Sequence, residues 1–382
     1  MRRTLYSDQH DAFRLTVRNF LQRKVVADYP GWISAGIVPR SFFSDIAELG
    51  VQGMAFDPEH GGSGIRDYRY NAILHEEAAR AGVTLGTLRT QLDVIAPYFL
   101  QYCDTDQRAR WFPGLVSGSL LTAIAMTEPG TGSDLAGITT TAVRDGDHYV
   151  VNGAKTFITG GLLADLVIVV ARTSTDEGNR RTGLSLIVVE DGTPGFRKGR
   201  KLEKLGLAVQ DTVELSFTDV HVPIANRLGE EGRAFGYLGH NLAQERLAIA
   251  VGAVAQTRAA LDLTVEYVRN RKLFGAMLAQ FQNTKFELAS IAAELEAIQV
   301  MVDHAVVDLV DGELAAADAA KVKLVATEVQ GRALDRCLQL FGGYGYITEY
   351  PIARLYADAR VSRIYGGTSE VMKSIIAKSL GL

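Results

Sequence analysis

The sequence is poor in residues that mark several classes of protein. It has only two cysteines among 382 residues. These, Cys103 and Cys337, stand in unrelated contexts, so we expect neither a disulfide framework nor a cysteine-based metal site. The seven histidines are scattered, without the HxH or HExxH spacing of a metal centre. We therefore predict that the protein binds no metal.

Long uncharged apolar runs are also absent. No run reaches the roughly 18 residues that a transmembrane helix needs. The N-terminus, MRRTLYSDQHDAF, has two arginines but no apolar core of a secretory signal. The formal net charge of −4 gives no electrostatic reason to bind nucleic acid or an anionic membrane. Short basic runs at 197–204 and 269–272 are typical of a solvated surface. We expect a soluble cytoplasmic protein.

The hydrophobic periodicity changes twice along the chain. Before residue 120 the period is helical, over segments 8–27, 40–49, 66–81, 85–102 and 105–117. Breakers separate these segments at Pro30-Gly31, at 58–64 and at Gly82. Residues 121–225 form short β-branched runs, with clean alternation in TVELSFTDV. The helical period then returns over 235–272, 280–311, 314–340 and 350–380, interrupted at 342–345.

This helical, β, helical order predicts an α+β multidomain protein. A chain of 382 residues is too long for a single core. We expect an N-terminal all-α domain at 1–120 and a middle antiparallel β domain, a sandwich or barrel, at 121–232. The rest, 233–382, is expected to form a C-terminal four-helix-bundle domain.

Four short stretches have the composition of ligand-binding loops. They are MTEPGTGSD (126–134), KTFITGG (155–161), RNRKLFGAMLAQFQ (269–282) and QLFGGYGY (339–346). Exposed N–H groups and hydroxyls suit a ligand rich in acceptors, and Phe157 with Thr159 suits a planar heterocycle. Arg271 with an aromatic ring and Gln282 suits a pyrophosphate. Each stretch alone has an ordinary alternative, such as a turn, a core strand or a helix cap.

Taken together and in this order, the stretches resemble the acyl-CoA dehydrogenase family, flavoenzymes that desaturate acyl-CoA thioesters. The resemblance covers essentially the whole chain, and FTDVHVP, RKLFG and RIYGGTSEV extend it. It implies FAD as cofactor and a place in fatty acid β-oxidation. It also implies a homotetramer built as a dimer of dimers, with an electron-transferring flavoprotein as electron acceptor.

The resemblance also implies roles for individual residues. Those near the flavin and the thioester are Met126, Thr127, Ser133, Phe157 and Thr159, with the Thr159 hydroxyl at the reactive flavin nitrogen. Those that hold FAD across a subunit boundary are Arg271, Phe274, Gln282, Gln339 and Gly343. Thr368 and Glu370 close the site, and Arg246 and Tyr365 lie on the substrate side, Arg246 resembling the CoA-contacting arginine. Gly160 replaces a common Asn, which a turn tolerates.

The C-terminal motif RIYGGTSEV (363–371) has Gly366 where many family members carry the catalytic Glu. Removing a proton next to a thioester carbonyl needs a desolvated carboxylate with a raised pKa. It also needs hydrogen-bond donors on the carbonyl oxygen. The resemblance implies that the Gly366 N–H, with the ribityl chain of FAD, supplies those donors, but the carboxylate must come from elsewhere.

The helix NLAQERLAIAVGAVAQ (241–256) offers that carboxylate. After Arg246 it is apolar on every side, which indicates a buried helix, and Glu245 and Arg246 are its only charges. Both flank one apolar line, and periodicity does not decide which faces further inward. The ordinary alternative is an exposed helix start. QERL, IYGGTSEV and GLAVQDTVEL (206–215) resemble the long-chain branch, whose base lies on this helix, so we predict Glu245 as the base.

Two points stay open at the level of sequence. Arg89 and Gln91 are unusual in the segment 85–100 expected to line an acyl pocket, and the simpler interpretation is that both face solvent. The alternative is a polar or carrier-bound substrate. Other possible functions are an acyl-carrier-protein thioester dehydrogenase, a flavin oxidase or monooxygenase on the same fold, and a non-catalytic FAD-binding subunit. An exposed Glu245 favours the last.

Overall fold

The computed structural model describes residues 2–175 and 178–382. Within these ranges helices come first, then strands, then helices again, which confirms the predicted fold class. The α-helices are α1 (Asp8–Phe20), α2 (Tyr29–Ala35), α3 (Ser41–Glu48), α4 (Arg69–Arg80), α5 (Ala96–Tyr102), α6 (Thr105–Ser117), α7 (Ala234–Asn270), α8 (Gln282–Val310), α9 (Ala316–Phe341), α10 (Pro351–Ala359) and α11 (Ser369–Ser379). Wider π-helical turns, Leu21–Val25 and Thr90–Ile95, continue α1 and lead into α5.

The strands are β1 (Thr122–Ala125), β2 (Thr141–Asp145), β3 (His148–Thr159), β4 (Leu166–Arg172), β5 (Leu184–Glu190), β6 (Phe196–Lys201), β7 (Thr212–Pro223), β8 (Arg227–Leu228), β9 (Lys272–Leu273) and β10 (Ala276–Met277). The first eight form one sheet in the order β6-β7-β3-β2-β4-β5-β8, with β1 beside β4. Most pairs are antiparallel as predicted, but β1 runs parallel to β4, so the sheet is mixed.

The alternation read from TVELSFTDV sets the two faces of β7. Val213, Leu215 and Phe217 are buried in the β core, while Glu214 and Ser216 are exposed. A period of two places alternate side chains on opposite faces of a sheet, so one face of this strand packs inward. The predicted boundaries at 120/121 and 232/233 lie between α6 and β1 and between β8 and α7. The exact boundaries stay a prediction.

Two helix predictions were wrong. Pro30 was predicted to break the chain, but it lies in the first turn of α2, where its missing N–H costs no hydrogen bond. The long pattern at 350–380 is two helices, because the segment between α10 and α11 leaves the helical path at Gly366 and Gly367, both with positive φ.

The C-terminal helices share one apolar core. Residues 247–255 of α7 are buried on every side of the helix, as their composition predicts. Side chains of α8 and α9 complete this core, among them Leu295, Val302 and Leu334. Among the helices of the described ranges, only α7 is long and apolar enough to cross a membrane. Of its most apolar 18-residue stretch, 67% is buried inside the protein. Core helices of this kind meet the same criteria.

Candidate active site

The centre of the site is a close approach between α7 and the turn that precedes α11. A Cβ placed on Gly366 would lie 3.5 Å from Oε1 of Glu245 and 2.4 Å from Cδ1 of Ile249. Gly366 also has a φ of +63°, in the left-handed region that favours glycine. Glu245 and Ile249 lie one turn apart on the same face of α7, so this face points at the turn. The Glu245 carboxylate therefore faces Gly366.

Burial changes the acidity of Glu245. Removal from water raises the pKa of its carboxyl group, and the positive charges of Arg246 and Lys323 offset part of that increase. The residue itself is half-buried. Glu245 therefore does not lie at an exposed helix start, which was the ordinary alternative. A carboxylate of this kind is a stronger base than a solvated one.

Three side chains fix the turn that holds Gly366. Nε of Arg246 donates to the Gly366 carbonyl at 3.3 Å. Nζ of Lys323 donates to the Gly367 carbonyl at 2.5 Å. Thr368 is the N-cap of α11, and its hydroxyl accepts from the Val371 N–H at 3.3 Å. The Gly366 N–H itself has no hydrogen-bond partner among residues 2–175 and 178–382. The turn is thus held in place while this donor stays available.

Lys323 is a residue that the sequence analysis missed. It lies on α9, is fully buried, and burial together with Arg246 lowers the pKa of its amine to about 8. A lysine whose helical neighbours Ala319, Ala320 and Ala326 are small and apolar was the available signal. It links α9 to both the turn and Glu245.

The predicted flavin-side residues come together at one edge of the sheet. The Thr156 N–H donates to the Thr127 carbonyl at 2.9 Å, so the loop that follows β1 is bonded to β3. Lys155, which is buried, donates to the Met126 carbonyl at 3.0 Å and to Glu128 at 2.9 Å. Met126 and Thr127 therefore lie beside the strand that carries Phe157 and Thr159.

Phe157 and Thr159 have unusual environments for residues of a strand. The Phe157 ring is 67% exposed, and its φ is +58°, which is rare for a bulky residue. Nε2 of Gln210 lies 3.4 Å from the Thr159 hydroxyl and donates to it. That hydroxyl keeps its own proton for another acceptor. Gln210, in the stretch GLAVQDTVEL, was not predicted as a site residue.

The second predicted set lies at a different place on the same protomer. Arg271, Phe274, Gln282, Gln339 and Gly343 are all exposed. Arg271 and Gly343 line one cavity of about 480 Å³, and the Arg271 guanidinium lies 5.4 Å from the ring centre of Tyr344. Arg271 directly follows α7, 26 residues after Glu245, which is about 39 Å along the helix at 1.5 Å per residue. One protomer does not bring the two sets together.

The remaining predicted residues have mixed positions. Ser133 is exposed in the loop after β1, and Glu370 is exposed in the first turn of α11. The Tyr365 side chain is 37% exposed, and the partial burial of its hydroxyl raises the pKa of the phenol. The roles of these residues stay predictions.

The expectation that Arg89 and Gln91 face solvent is wrong. Gln91 is buried and accepts a hydrogen bond from Gln52 at 3.1 Å. Arg89 is half-buried, and its Nε lies 3.3 Å from Nε2 of the buried His75. Arg89 stands directly before the π-helical turn Thr90–Ile95, and Gln91 lies within that turn. Among the described residues no group of three or more His, Cys, Asp or Glu side chains is placed to hold a metal.

Comparison with known proteins identifies the architecture. The chain matches models of three domains: "Acyl-CoA dehydrogenase, N-terminal domain" at residues 7–119, "middle domain" at 123–220 and "C-terminal domain" at 232–381. It is 42% identical over 378 residues to the mitochondrial long-chain specific acyl-CoA dehydrogenase of Sus scrofa, covering 99% of this chain and 88% of that enzyme. It is 36% identical to the short-chain specific acyl-CoA dehydrogenase of Megasphaera elsdenii, covering 97% of both chains. The crystal structure of an acyl-CoA dehydrogenase from Geobacillus kaustophilus superimposes with a TM-score of 0.97 at 43% identity and covers 100% of both chains.

Proposed function

This chain belongs to the acyl-CoA dehydrogenase family of FAD-dependent oxidoreductases acting on CH–CH groups, and we propose that it desaturates a saturated acyl-CoA to the trans-2-enoyl-CoA with Glu245 as the base. The observation that carries the proposal is the Glu245 carboxylate facing Gly366. Its Oε1 lies at van der Waals distance, 3.5 Å, from the point where a Cβ at position 366 would stand, and the Ile249 side chain, at 2.4 Å, takes up that space. In this proposal the catalytic carboxylate comes from position 245 on α7 and not from position 366.

The environment of Glu245 suits proton abstraction from a weak carbon acid. A carboxylate removes a proton from a weak carbon acid more readily when its own pKa is raised toward that of the carbon acid. Burial raises the pKa of the Glu245 carboxyl group in this direction. The positive charges of Arg246 and Lys323 offset part of that increase in pKa and so favour the ionised form. A non-catalytic role, which an exposed Glu245 was expected to favour, has no support in this geometry.

The turn at Gly366 suits stabilisation of the developing negative charge. Its N–H is unpaired in the described part of the chain, and Arg246 and Lys323 hold its neighbouring carbonyls. A donor that is already oriented stabilises an oxyanion without reorganisation during the reaction. Gly366 thus binds and polarises the thioester carbonyl, and Glu245 removes the proton from the adjacent carbon. Arg246 and Tyr365 contact the CoA and acyl portions.

The residues present fit FAD in two separate groups. The exposed Phe157 ring, whose backbone is strained, provides a flat apolar face, and Thr159 has a hydroxyl proton free to donate. Met126, Thr127, Thr368 and Glu370 complete this side. When bound, FAD supplies the hydride acceptor. Thr159 orients the flavin ring, and Phe157 excludes water from one side of it.

The second group fits the adenosine and pyrophosphate end of FAD bound to a neighbouring protomer. Arg271 and Gly343 line a cavity of about 480 Å³ at the surface, about 39 Å along α7 from Glu245. Phe274 beside it is 90% exposed, which is costly for a ring that stays in water. Gln282 and Gln339 are also exposed. These facts support an oligomer in which neighbouring protomers share each FAD. On the resemblance to the family we propose that it is a homotetramer, with an electron-transferring flavoprotein as acceptor.

An anaerobic titration tests the proposal. The purified FAD-loaded protein is titrated with saturated acyl-CoAs of graded length while the visible flavin absorbance is followed. We expect bleaching of the wild type and none of Glu245→Gln. Glu266→Gln, which neutralises an exposed carboxylate on the same helix, is the matched control and bleaches normally.

The outcomes separate the alternatives. Bleaching that survives in Glu245→Gln shows that another residue is the base. Failure with every CoA ester but success with a carrier-protein thioester replaces the proposed substrate with the carrier form. Rapid reoxidation by oxygen in place of electron-transferring flavoprotein identifies an oxidase.

A further inference from the structure

A second group of polar residues lies along α7 beyond the base. Asp93 is buried, accepts from Asn71 at 2.8 Å and lies 2.7 Å from Nε2 of the buried His75. Arg89 lies beside the same imidazole. Gln244 of α7 donates to the Asp93 backbone carbonyl at 2.8 Å, so this cluster is bonded to the helix that carries Glu245. None of these residues has a part in proton or hydride transfer.

The cluster meets α7 at a glycine. A Cβ on Gly252 would lie 2.9 Å from Nη2 of Arg89 and 3.2 Å from Nδ1 of His75. Gly is unfavourable in the middle of a helix, but here it leaves the space that these two nitrogens face. Gly252 is seven residues from Glu245, and seven residues are close to two turns, so the two lie on one face of α7 about 10 Å apart. Ile249, against Gly366, lies between them.

The protonation of His75 follows from its neighbours. Burial, and then Arg89, lower the pKa of the imidazole, so the ring is neutral. The short contact to the Asp93 carboxylate places its one proton on Nε2. That nitrogen then has no lone pair to accept from Arg89, and Nδ1 is left as a buried acceptor without a partner. The ring thus presents an unused acceptor next to Gly252.

Arg89 presents unused donors at the same place. Within residues 2–175 and 178–382 no carboxylate oxygen lies within 4.0 Å of its nitrogens, and its contact with His75 Nε2 is its one polar contact. A half-buried guanidinium without an acceptor is unfavourable, since its hydration is incomplete and no protein group replaces the lost water. The unused donors of Arg89 and the unused acceptor of His75 therefore both lie next to Gly252.

We propose that Arg89 and His75 form a subsite for a hydroxyl group on the acyl chain, so that the substrate is a hydroxyacyl thioester with the hydroxyl far from the thioester. This rests on the proposed function and specifies its substrate class. A hydroxyl oxygen accepts from Arg89 while its O–H donates to His75 Nδ1, which satisfies both. A carboxylate pairs with Arg89 but has no proton for Nδ1. An extended chain covers about 1.3 Å per bond, so 10 Å corresponds to about eight bonds from the reacting carbon.

The test compares CoA esters of matched length that end in CH₃, CH₂OH or COO⁻, over chains of about six to twelve carbons. For wild type, kcat/KM for the hydroxyacyl ester at the optimal length is expected to exceed that for the alkyl ester by about tenfold or more, the worth of a hydrogen bond to a charged group. Arg89→Leu reduces that ratio to near one. Gly252→Ala, which keeps the charge but places a methyl group against Arg89, also reduces it. Arg23→Leu, an exposed arginine elsewhere, is the control and leaves it unchanged.

Binding is measured separately from turnover. The dissociation constants of the three esters for Glu245→Gln are determined by calorimetry, and the hydroxyacyl ester is expected to bind most tightly. A wild-type preference for the alkyl ester, or a ratio unaffected by Arg89→Leu, overturns the subsite while the proposed function stands. A preference for the carboxylate ester that depends on Arg89 overturns the hydroxyl assignment in favour of an anion. No bleaching with any ester overturns both proposals.

Discussion

The Oε1 atom of Glu245 lies 3.5 Å from the point where a Cβ on Gly366 would stand. That separation is an ordinary van der Waals contact, so a carboxylate on α7 and a side chain at position 366 would reach the same part of the site. In this chain the left-handed φ of Gly366 and the Ile249 side chain favour glycine at that position, which is consistent with the proposal that α7 supplies the carboxylate.

Substituting Gly366 by Ala is expected to destabilise the protein through a specific contact. Both Gly366 and Gly312 have left-handed φ, but a Cβ on Gly312 meets nothing within 4 Å, whereas one on Gly366 meets Ile249 at 2.4 Å. Urea denaturation should show that Gly366→Ala costs about 1–2 kcal/mol more than Gly312→Ala. Equal losses would mean that backbone strain alone explains the glycine.

Replacing the base should stabilise the fold while it stops the reaction. The pKa of Glu245 is raised in the folded state, so between its ordinary and its raised pKa the folded protein binds more protons than the unfolded chain. The stability contributed by Glu245 therefore falls as pH rises through that window. At a pH above the raised pKa, the free energy of unfolding of Glu245→Gln is expected to exceed that of the wild type. Near pH 4 the difference is expected to be smaller. A stability difference that does not depend on pH would contradict this account.

Lys323 is expected to act on the base through its charge. Its amine lowers the pKa of Glu245, so Lys323→Met should raise that pKa further and shift the rising limb of the pH–rate profile to higher pH. Lys321→Met, on the same helix but paired with Asp318 at the surface, is the control and leaves the profile in place. If Lys323→Met lowers kcat equally at every pH, Lys323 only holds the turn.

Mixed oligomers test whether one site uses two chains. Glu245→Gln and Arg271→Glu are each expected to be inactive alone. When both are coexpressed, about a quarter of the wild-type rate should return, because half of the randomly formed dimers are mixed and each of these has one intact site. The specific activity and FAD content of the mixture are compared with those of each variant. No recovery would place both residues in the site of one chain.

The sequence predicted the order of helices and strands because long periodic segments are dominated by burial. TVELSFTDV alternates between buried and exposed residues, and LAIAVGAVA is buried on every side of its helix, as predicted. Pro30 was misread because proline breaks a helix interior but suits a first turn, and only the position of the helix start separates the two cases. The start of α2 depends on packing that no local pattern encodes.

The site was predicted in part. The pair Glu245 and Arg246 was evident from its apolar surroundings, but the sequence did not decide which side chain faces inward. In the structure both reach Gly366, Glu245 toward its α-carbon and Arg246 to its carbonyl. Arg89 was misassigned because its partial burial depends on packing against His75 of α4, which is distant in sequence. Gln210 and Lys323 were missed because each acts through another residue, which is a property of the tertiary structure.

The length of α7 has a consequence for insertions and deletions. This helix carries the proposed base of one site in its first half and ends next to the arginine proposed to serve a neighbouring chain. Removing one residue between them would rotate one end by about 100° against the other and shorten the helix by about 1.5 Å. Such a chain would lose its own reaction and also impair the neighbour that depends on its Arg271. Defects of this kind would be dominant in a cell that makes both forms, whereas loss of Glu245 alone would not.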